Sequence, residues 1–494
     1  MSTPTSTTTP ISPEQLVIQL DPVTTDRYAA RAMDALTDDQ PELSAHQTFS
    51  RGQKGFAALV LAVLVGAALL AGPLAVGRLV IGLLSLLYGA AVSYRLLCLR
   101  HGLRQEGIHR VSDAAALAVA EQDLPRYTVL VPAYREPTVI AGILEHLDRL
   151  DYPRSRLEVL VLLEADDDET LAAVRAAGPG DYVRVLVVPL AAVTTKPRAC
   201  NYGLQLADGD LVTIYDAEDR PEPLQLRRSA VVLAAQPREM AGLQARLGYF
   251  NTERNLLTRW FTSEYASWFE HYLPGLVSLG APVPLGGTSN HLRTDVLREV
   301  GGWDPYNVTE DADLGLRLAR GGYRIGVLDS LTLEEANSDP INWIKQRSRW
   351  YKGYLQTWLV HMRDPRRAHR ELGWRGLAGV NLFIGGTPLL SMLNPLFWGL
   401  ALVWFLAEPH VIEQLFSGPV GYVAVACWLL GNFAMIYSGL VSLHESARPE
   451  LLLSALCVPA YWVMMSLAAI KAAVQLISNP SFWEKTVHGL DQHP

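Results

Sequence analysis

Glu310, Asp311 and Asp313 put three carboxylates into four positions, directly after the turn and cap formers Asp304, Asn307 and Thr309. Leu314 and Leu318 then recur four apart, with Leu316 and Ala319 beside them, which predicts a helix opening at Thr309-Glu310-Asp311. A helix start attracts acidic residues through its dipole, so the cluster alone has a plain structural explanation. The same dipole would keep Asp311 ionised and able to take a proton as a general base. A second pair, Asp216 and Glu218, stands at i, i+2. Two such carboxylates can hold Mg2+ or Mn2+, which prefer oxygen ligands and bridge diphosphate oxygens. Lys196 and Arg198 offer cations to the same phosphates, although an ordinary basic loop has the same composition. Together these residues could carry a displacement at a sugar carbon. A metal-neutralised diphosphate would leave while Asp311 deprotonates the attacking hydroxyl.

Such residues need strands to carry them. Residues 127–131 (YTVLV), 157–163 (LEVLVLL), 183–188 and 211–215 (LVTIY) are apolar runs, with helical stretches such as 139–150 between them. The alternation predicts an open α/β sheet with parallel strands. Ligands bind such sheets at the carboxyl ends of the strands. Two of these strands end in acidic clusters, 164–169 and 216–219.

The 494 residues allow two or three domains, and 49% hydrophobic against 19% charged residues points to a membrane protein. A net charge of −8 gives no basic surface for nucleic acid. Cys98, Cys200, Cys427 and Cys457 are scattered, so neither a disulfide framework nor a zinc site is expected. Residues 1–50 read as a polar, disordered tail and not as a cleaved signal peptide. Residues 55–72 and 74–94 are apolar enough for a transmembrane hairpin turning at Ala71-Gly72-Pro73. Arg51 and Lys54 before it, and Arg95, Arg100 and Arg104 after it, put both of its ends in the cytosol.

Further on, Trp343, Trp350, Tyr354 and Trp358 recur at helical spacing among Lys345, Arg347, Arg349 and Lys352, as in an amphipathic helix on the inner leaflet. Residues 376–407 hold no charge, which is long for one span and short for two. Asn394-Pro395 predicts a break there. With spans at 418–443 and 451–470 the expectation is six crossings. The expected domains are a tail (1–50), a transmembrane hairpin (51–100), a cytosolic catalytic domain (101–335), interfacial helices (336–372), transmembrane helices (373–478) and a cytosolic tail (479–494).

In these stretches the chain resembles the membrane-embedded family 2 glycosyltransferases, the group of cellulose, hyaluronan, chitin and mannan synthases. The resemblance runs from about Pro125 to Trp350. VPAYRE is similar to the family's first strand and nucleotide-cradling turn, which implies donor contacts at Pro132, Ala133, Tyr134 and Glu136. Glu164 and Asp166 resemble its uracil-contacting acidic site, and KPRACNYGL its basic segment beside the diphosphate. DAED stands where the metal motif belongs, with Glu218 in place of a second Asp and Asp219 as a rival ligand. TED matches the motif whose Asp is the catalytic base, making Asp311 and its neighbour Glu310 the catalytic candidates. Gln346, Arg349 and Trp350 match QxxRW, the mark of processive members, in which the Trp stacks on the acceptor sugar. Asn290 or His291, in GGTSNHLRTDVL, would border the acceptor, or else serve as a turn residue. SFWEKTVHG resembles the family's gating loop, with Trp483, Thr486 and His488 in its places and His where the family has Lys.

The resemblance implies a GT-A-like, mostly parallel sheet inserted between transmembrane helices. It implies an inverting transferase using Mg2+ or Mn2+ and a nucleotide-sugar donor, UDP-sugar favoured over GDP-mannose. The first expected product is a β-linked polysaccharide, extruded through the plasma (inner) membrane by a multi-pass protein whose catalytic domain is cytosolic. An oligomer or an export partner in the cell envelope stays open. A second reading has the same residues adding one sugar to a lipid carrier or lipid acceptor. A non-enzymatic scaffold or sensor would be favoured by loss of Asp216, Glu218 or Asp311, and all three are present.

Overall fold

The computed structural model describes residues 16–480 and 482–485. Its centre is a mixed, mostly parallel sheet with strand order β1-β9-β7-β8-β5-β2-β3-β4. The strands are β1 (Ile108–His109), β2 (Tyr127–Ala133), β3 (Leu157–Glu164), β4 (Val183–Val188), β5 (Leu211–Ile214), β6 (Arg220–Pro221), β7 (Met240–Tyr249), β8 (Asn290–Arg293) and β9 (Arg324–Glu334). β4, β3, β2 and β5 run parallel, as the apolar runs predict. Their side chains are buried on both faces, which is why these strands lack polar alternation. β8 breaks the pattern, running antiparallel to both β5 and β7. β7 therefore points the same way as β5, and β9 pairs parallel to β7. One edge of the sheet thus collects the ends of β2, β3, β5 and β9 and the start of β8.

Residues 1–50 were expected to form a disordered tail, and the described part of that stretch is ordered. Pro22–Asp39 is a helix capped by the Asp21 side chain on the Thr24 amide. Its Ala32 and Leu36 are buried, and its Ala32 carbonyl accepts from Asn201 Nδ2 at 3.1 Å. Val17 forms a parallel bridge to Val185 on the outer strand β4. The Ala45 amide donates to Asp304 Oδ2 at 2.5 Å. Low hydrophobicity suggested a free tail, but sparse apolar residues suffice when they dock on a finished domain.

Five helices are long and apolar enough to cross a membrane: Arg51–Ala71, Pro73–Gly102, Pro365–Ala407, Gly418–Glu445 and Val458–Ser478. The break expected at Asn394-Pro395 is absent, because Gly386–Ala407 is one helix with Pro395 inside it. Proline removes one ladder bond, a loss a long packed helix can absorb. The hairpin expected there, and with it the count of six, is corrected to one helix. Pro340–His361 is the amphipathic helix, and it packs along Val458–Ser478. Trp343 meets Tyr461 at 4.9 Å between ring centroids, Tyr351 packs with Ala468, Ala469 and Ala472, and Gln356 Nε2 reaches the Pro480 carbonyl at 3.0 Å. The two helices run side by side, in the same direction, over their full lengths.

Candidate active site

Because the strands run parallel, their carboxylates arrive together. Glu164 closes β3, Asp216 and Glu218 follow β5, and Glu334 closes β9. All four line one cavity of about 600 Å3. Glu310 and Asp311, at the start of the helix Glu310–Arg320, line it too. Thr309 precedes this helix without making a side-chain cap bond.

Lys196 Nζ binds Asp216 Oδ1 and donates to the Gly287 carbonyl at 2.8 Å. Burial opposes the ammonium charge, but Asp216 and Glu310 hold its pKa above the ordinary value. Gly287 also sits beside the base: a Cβ there would be in ordinary contact, 3.4 Å from Asp311 Oδ2 and 3.7 Å from Lys196 Nζ. Burial lifts Asp311 to about 6, against the pull of the Ala312 amide, Lys196 and Arg349. Burial and the adjacent Asp311 lift Glu310 further, to about 8. Both carboxyls are thus pushed up, Glu310 the further of the two, so the pair resists carrying two negative charges.

Pro132, Ala133, Tyr134 and Glu136 line the opposite side of the cavity. Their turn is pinned by Asp167, which accepts from the Arg135 amide at 2.5 Å, with Arg135 in the left-handed region at φ 57°. Asp166 is not in the cavity wall; it accepts from Tyr134 Oη and Arg135 at 3.2 Å each. Arg198, expected at the phosphates, is also absent from the wall. Its buried guanidinium pairs with Glu164 at 3.3 Å and donates to the Pro189 carbonyl. Burial nevertheless lifts Glu164 to about 7. Asn290 is corrected in the same way: it is 1% exposed, and Nδ2 donates to the Gly286 carbonyl at 2.9 Å, so it supports the turn before Gly287. His291 lies inside the sheet against Tyr127 Oη at 2.6 Å.

The metal candidates separate clearly. Asp219 is fully buried, ties the Asp216 amide at 2.8 Å and accepts from Thr288 Oγ1, outside the cavity wall. Asp216 and Glu218 face the cavity. Glu334 is held well above the usual carboxylate range, first by burial and then by Asp219, Asp216 and Glu218. Among the described residues no three acidic, His or Cys groups already form a metal cage. The donor set is oxygen only, carries excess negative charge, and has Lys196 sitting as a cation on Asp216. These residues fit a hard divalent ion that takes part of its shell from a substrate.

Gln346, Arg349 and Trp350 line the cavity from Pro340–His361. Gln346 Oε1 and Arg349 Nε are buried with no partner. Trp350 is backed by Arg347, whose guanidinium lies 4.7 Å from its ring and forms a bidentate pair with Glu264 at 2.7 and 2.6 Å. Tyr461 Oη donates to the same Glu264 at 2.7 Å. Glu264 and Glu334 lay outside the sequence reading, while Arg347 and Gly287 stood in it only as members of their stretches, without a site role. Trp483 lies over Arg349 at 4.5 Å, and Lys485 Nζ reaches the Tyr134 carbonyl. Thr486 and His488 lie outside the described residues.

Beyond the carboxylates the cavity continues between membrane helices, past Tyr88, Val92, Arg95, Leu390, Asn394 and Met435.

A mixed sheet with carboxylates and a basic helix at one edge defines a sugar-nucleotide transferase class, and the comparisons agree. Residues 128–279 match the glycosyltransferase family 2 model, and residues 211–437 match the glycosyltransferase family group 2 model. The chain therefore carries family 2 glycosyltransferase domains, which put it among hexose-transferring enzymes. It is 28% identical over 388 residues to a beta-monoglucosyldiacylglycerol synthase of Synechocystis, covering 74% of this chain and 75% of that protein. It is 29% identical over 236 residues to the probable glycosyltransferase YdaM of Bacillus subtilis, covering 47% of this chain and 56% of that protein. The mannosyltransferase PcManGT from Pyrobaculum calidifontis, solved with GDP-Man and Mn2+, superposes with a TM-score of 0.52 at 20% identity, covering 80% of this chain and 99% of that one. The fold is GT-A-like.

Proposed function

We propose that this chain is a membrane-bound inverting hexosyltransferase that moves one sugar from a nucleotide-diphosphate donor, UDP-sugar favoured, to a hydroxyl of a membrane lipid. The observation that carries this reading is the cavity's continuity: one space joins Asp311 to Tyr88, Val92, Leu390 and Met435 on membrane helices. The synthase from Synechocystis, named for a glycolipid product, supports the same acceptor class.

In this reading Tyr134 and Glu164 border the nucleotide, while Lys196 and Arg349 face the diphosphate. A divalent ion, Mg2+ or Mn2+, held by Asp216 and Glu218 would neutralise the leaving diphosphate. The acceptor oxygen forms its bond to the anomeric carbon as the bond from that carbon to the phosphate oxygen breaks. The hydroxyl proton passes to Asp311. Glu310, the harder of the two to ionise, favours Asp311 as the site of the negative charge. Trp350 orients the acceptor, and Arg347 and Glu264 hold Trp350. Trp483 and Lys485 strap the cavity mouth, as the resemblance to a gating loop suggests.

The side-by-side packing of Val458–Ser478 with Pro340–His361 supports a topology of four crossings. A helix paired lengthwise with an amphipathic helix lies in the membrane plane with it. Val463, Leu467, Ile470, Val474 and Ile477 then form one exposed apolar stripe toward lipid. Two crossings precede the catalytic domain and two follow it, which returns Phe482 to Lys485 to the cytosolic side.

A second reading, polymer synthesis, draws on Trp350 and the aromatic wall of the cavity. Both are tested by offering UDP-glucose, UDP-galactose, UDP-N-acetylglucosamine and GDP-mannose to the purified protein with diacylglycerol in lipid nanodiscs. Nucleotide release with a lipid-sized product is the expected result. A high-molecular-weight product would transfer the claim to the second reading, and no turnover of any donor would overturn both.

A further inference from the structure

Arg95 sits seven residues before the inner end of the membrane helix Pro73–Gly102 and turns into the cavity. It has no carboxylate within salt-bridge distance among the described residues. Its one hydrogen bond runs from Nη2 to Thr387 Oγ1 at 2.6 Å, and its guanidinium lies 4.9 Å from the Phe383 ring centroid. Nε is buried and has no partner. An arginine near a helix end ordinarily extends to the water or to headgroups outside the protein. This one points inward, where an unpaired cation is costly unless a ligand completes it.

The surrounding groups are chosen for the same task. Thr387, Ser391 and Asn394 recur at i, i+4, i+7 on Gly386–Ala407 and line the cavity beside Arg95. Ser391 Oγ meets Tyr351 Oη at 3.1 Å, and Asn394 Oδ1 is buried without a partner. Tyr354 lines the same cavity as Asp311 and Arg95. Val92, Leu390 and Met435 supply apolar wall next to this polar lane.

We infer that Arg95, whose Nε is left open in the cavity wall, binds the phosphate of an acceptor lipid, whose headgroup hydroxyl then lies toward Asp311. This rests on the lipid-acceptor reading and names the class of lipid. Guanidinium suits a phosphodiester through paired, charge-assisted hydrogen bonds. In a helix that crosses the bilayer, a residue about two turns from its end, as Arg95 is, comes within reach of lipid phosphates.

The experiment uses the full chain in neutral maltoside micelles doped with either dioleoylglycerol or dioleoylphosphatidylglycerol, with the donor found active above. Wild type, Arg95→Gln and Arg95→Lys are compared for lipid-linked sugar and for slow donor hydrolysis. The expected result is a preference of wild type for phosphatidylglycerol. Arg95→Gln raises the KM for that lipid about tenfold, the scale of one charge-assisted hydrogen bond, and Arg95→Lys recovers part of it. The donor KM and the hydrolysis rate stay unchanged in both variants, which also shows that they fold. Equal use of the two lipids by wild type, or an unchanged lipid KM in Arg95→Gln, overturns the phosphate site while leaving lipid transfer standing. A polymer product with no glycosylated lipid overturns the parent reading instead.

Discussion

The two halves of the cavity are built on opposite principles. On the sheet side the charged groups are paired through at least one atom, although Arg198 Nε and Asp219 Oδ1 stay open: Lys196 holds Asp216, Arg198 holds Glu164, and Asp219 holds the Asp216 amide. On the helix side polar atoms are left open: Gln346 Oε1, Arg349 Nε, Arg95 Nε and Asn394 Oδ1. Buried polar groups are normally satisfied, and exceptions need a reason. The sheet side is preorganised, and electrostatic catalysis requires groups that do not rearrange during the reaction. The helix side is incomplete until a second molecule supplies the missing partners.

If the comparison holds, changes on the sheet side should damage chemistry and changes on the helix side should damage acceptor use. The largest effect is expected at the base. Asp311→Asn should lower transfer by roughly 10²–10⁴ while nucleotide binding, followed by calorimetry, stays intact; near-normal turnover would remove Asp311 from the reaction. Its pH profile follows from the raised pKa. Below about 6 the carboxyl is protonated and cannot accept a proton, so transfer should rise with pH through that value. A profile flat from pH 5 to 8 would contradict this.

Next comes the metal pair. Asp216→Ala should make donor binding indifferent to Mg2+, Mn2+ or chelator, with a loss on the order of 10²-fold in transfer. Retained metal dependence would shift the ligand role to Glu218 alone. Smaller still is the support of Trp350. Glu264→Gln removes the carboxylate partner of Arg347, so the melting temperature should fall, with a penalty below the scale of about 3–5 kcal/mol for a fully buried pair because the Glu264 side chain is 31% exposed. At temperatures where the variant stays folded, acceptor KM should rise while donor hydrolysis persists. Loss of donor hydrolysis in step with acceptor use would erase the distinction between the two halves. The smallest effect is expected at the mouth, where Lys485→Ala should raise the donor KM by about threefold, since it removes a partly exposed hydrogen bond.

The sheet side was largely legible in the sequence. Four apolar runs gave four parallel strands, and the acidic residues following two of them fell at one edge because parallel strands end together. Glu334 and Gly287 escaped notice for a specific reason. Their places depend on β8 and β9, whose pairing joins residues far apart in sequence; Glu334 carries no local motif, and Gly287, inside GGTSNHLRTDVL, has no side chain from which a role could be read. Arg198 and Asn290 were read by their neighbourhood in the chain. A side chain's direction is set by packing, and both turn away from the cavity into the fold. The single helix through Asn394-Pro395 and the lengthwise pairing of Val458–Ser478 were equally hidden. Hydropathy reports that a helix is apolar, not whether it crosses the bilayer or lies along it.

The Ser44 and Ala45 contacts to Asp304 span 260 and 259 residues. During synthesis this early stretch leaves the ribosome long before its docking surface exists. Two long apolar helices and strands β1 to β8 are made in the interval, and β9 and the helix Glu310–Arg320 follow it. Loop closure over such a distance is slow, and the outer strand β4 lacks its Val17 bridge until it happens. The segment at Ser44-Ala45 is therefore made well before the surface that it clasps. A chain stalled before Asp304 would carry Leu36 and Ala32 without the Trp303 region against which Asn201 sets them. Nascent chains arrested just before and just after that point should differ sharply in how readily a protease cuts within residues 22–50.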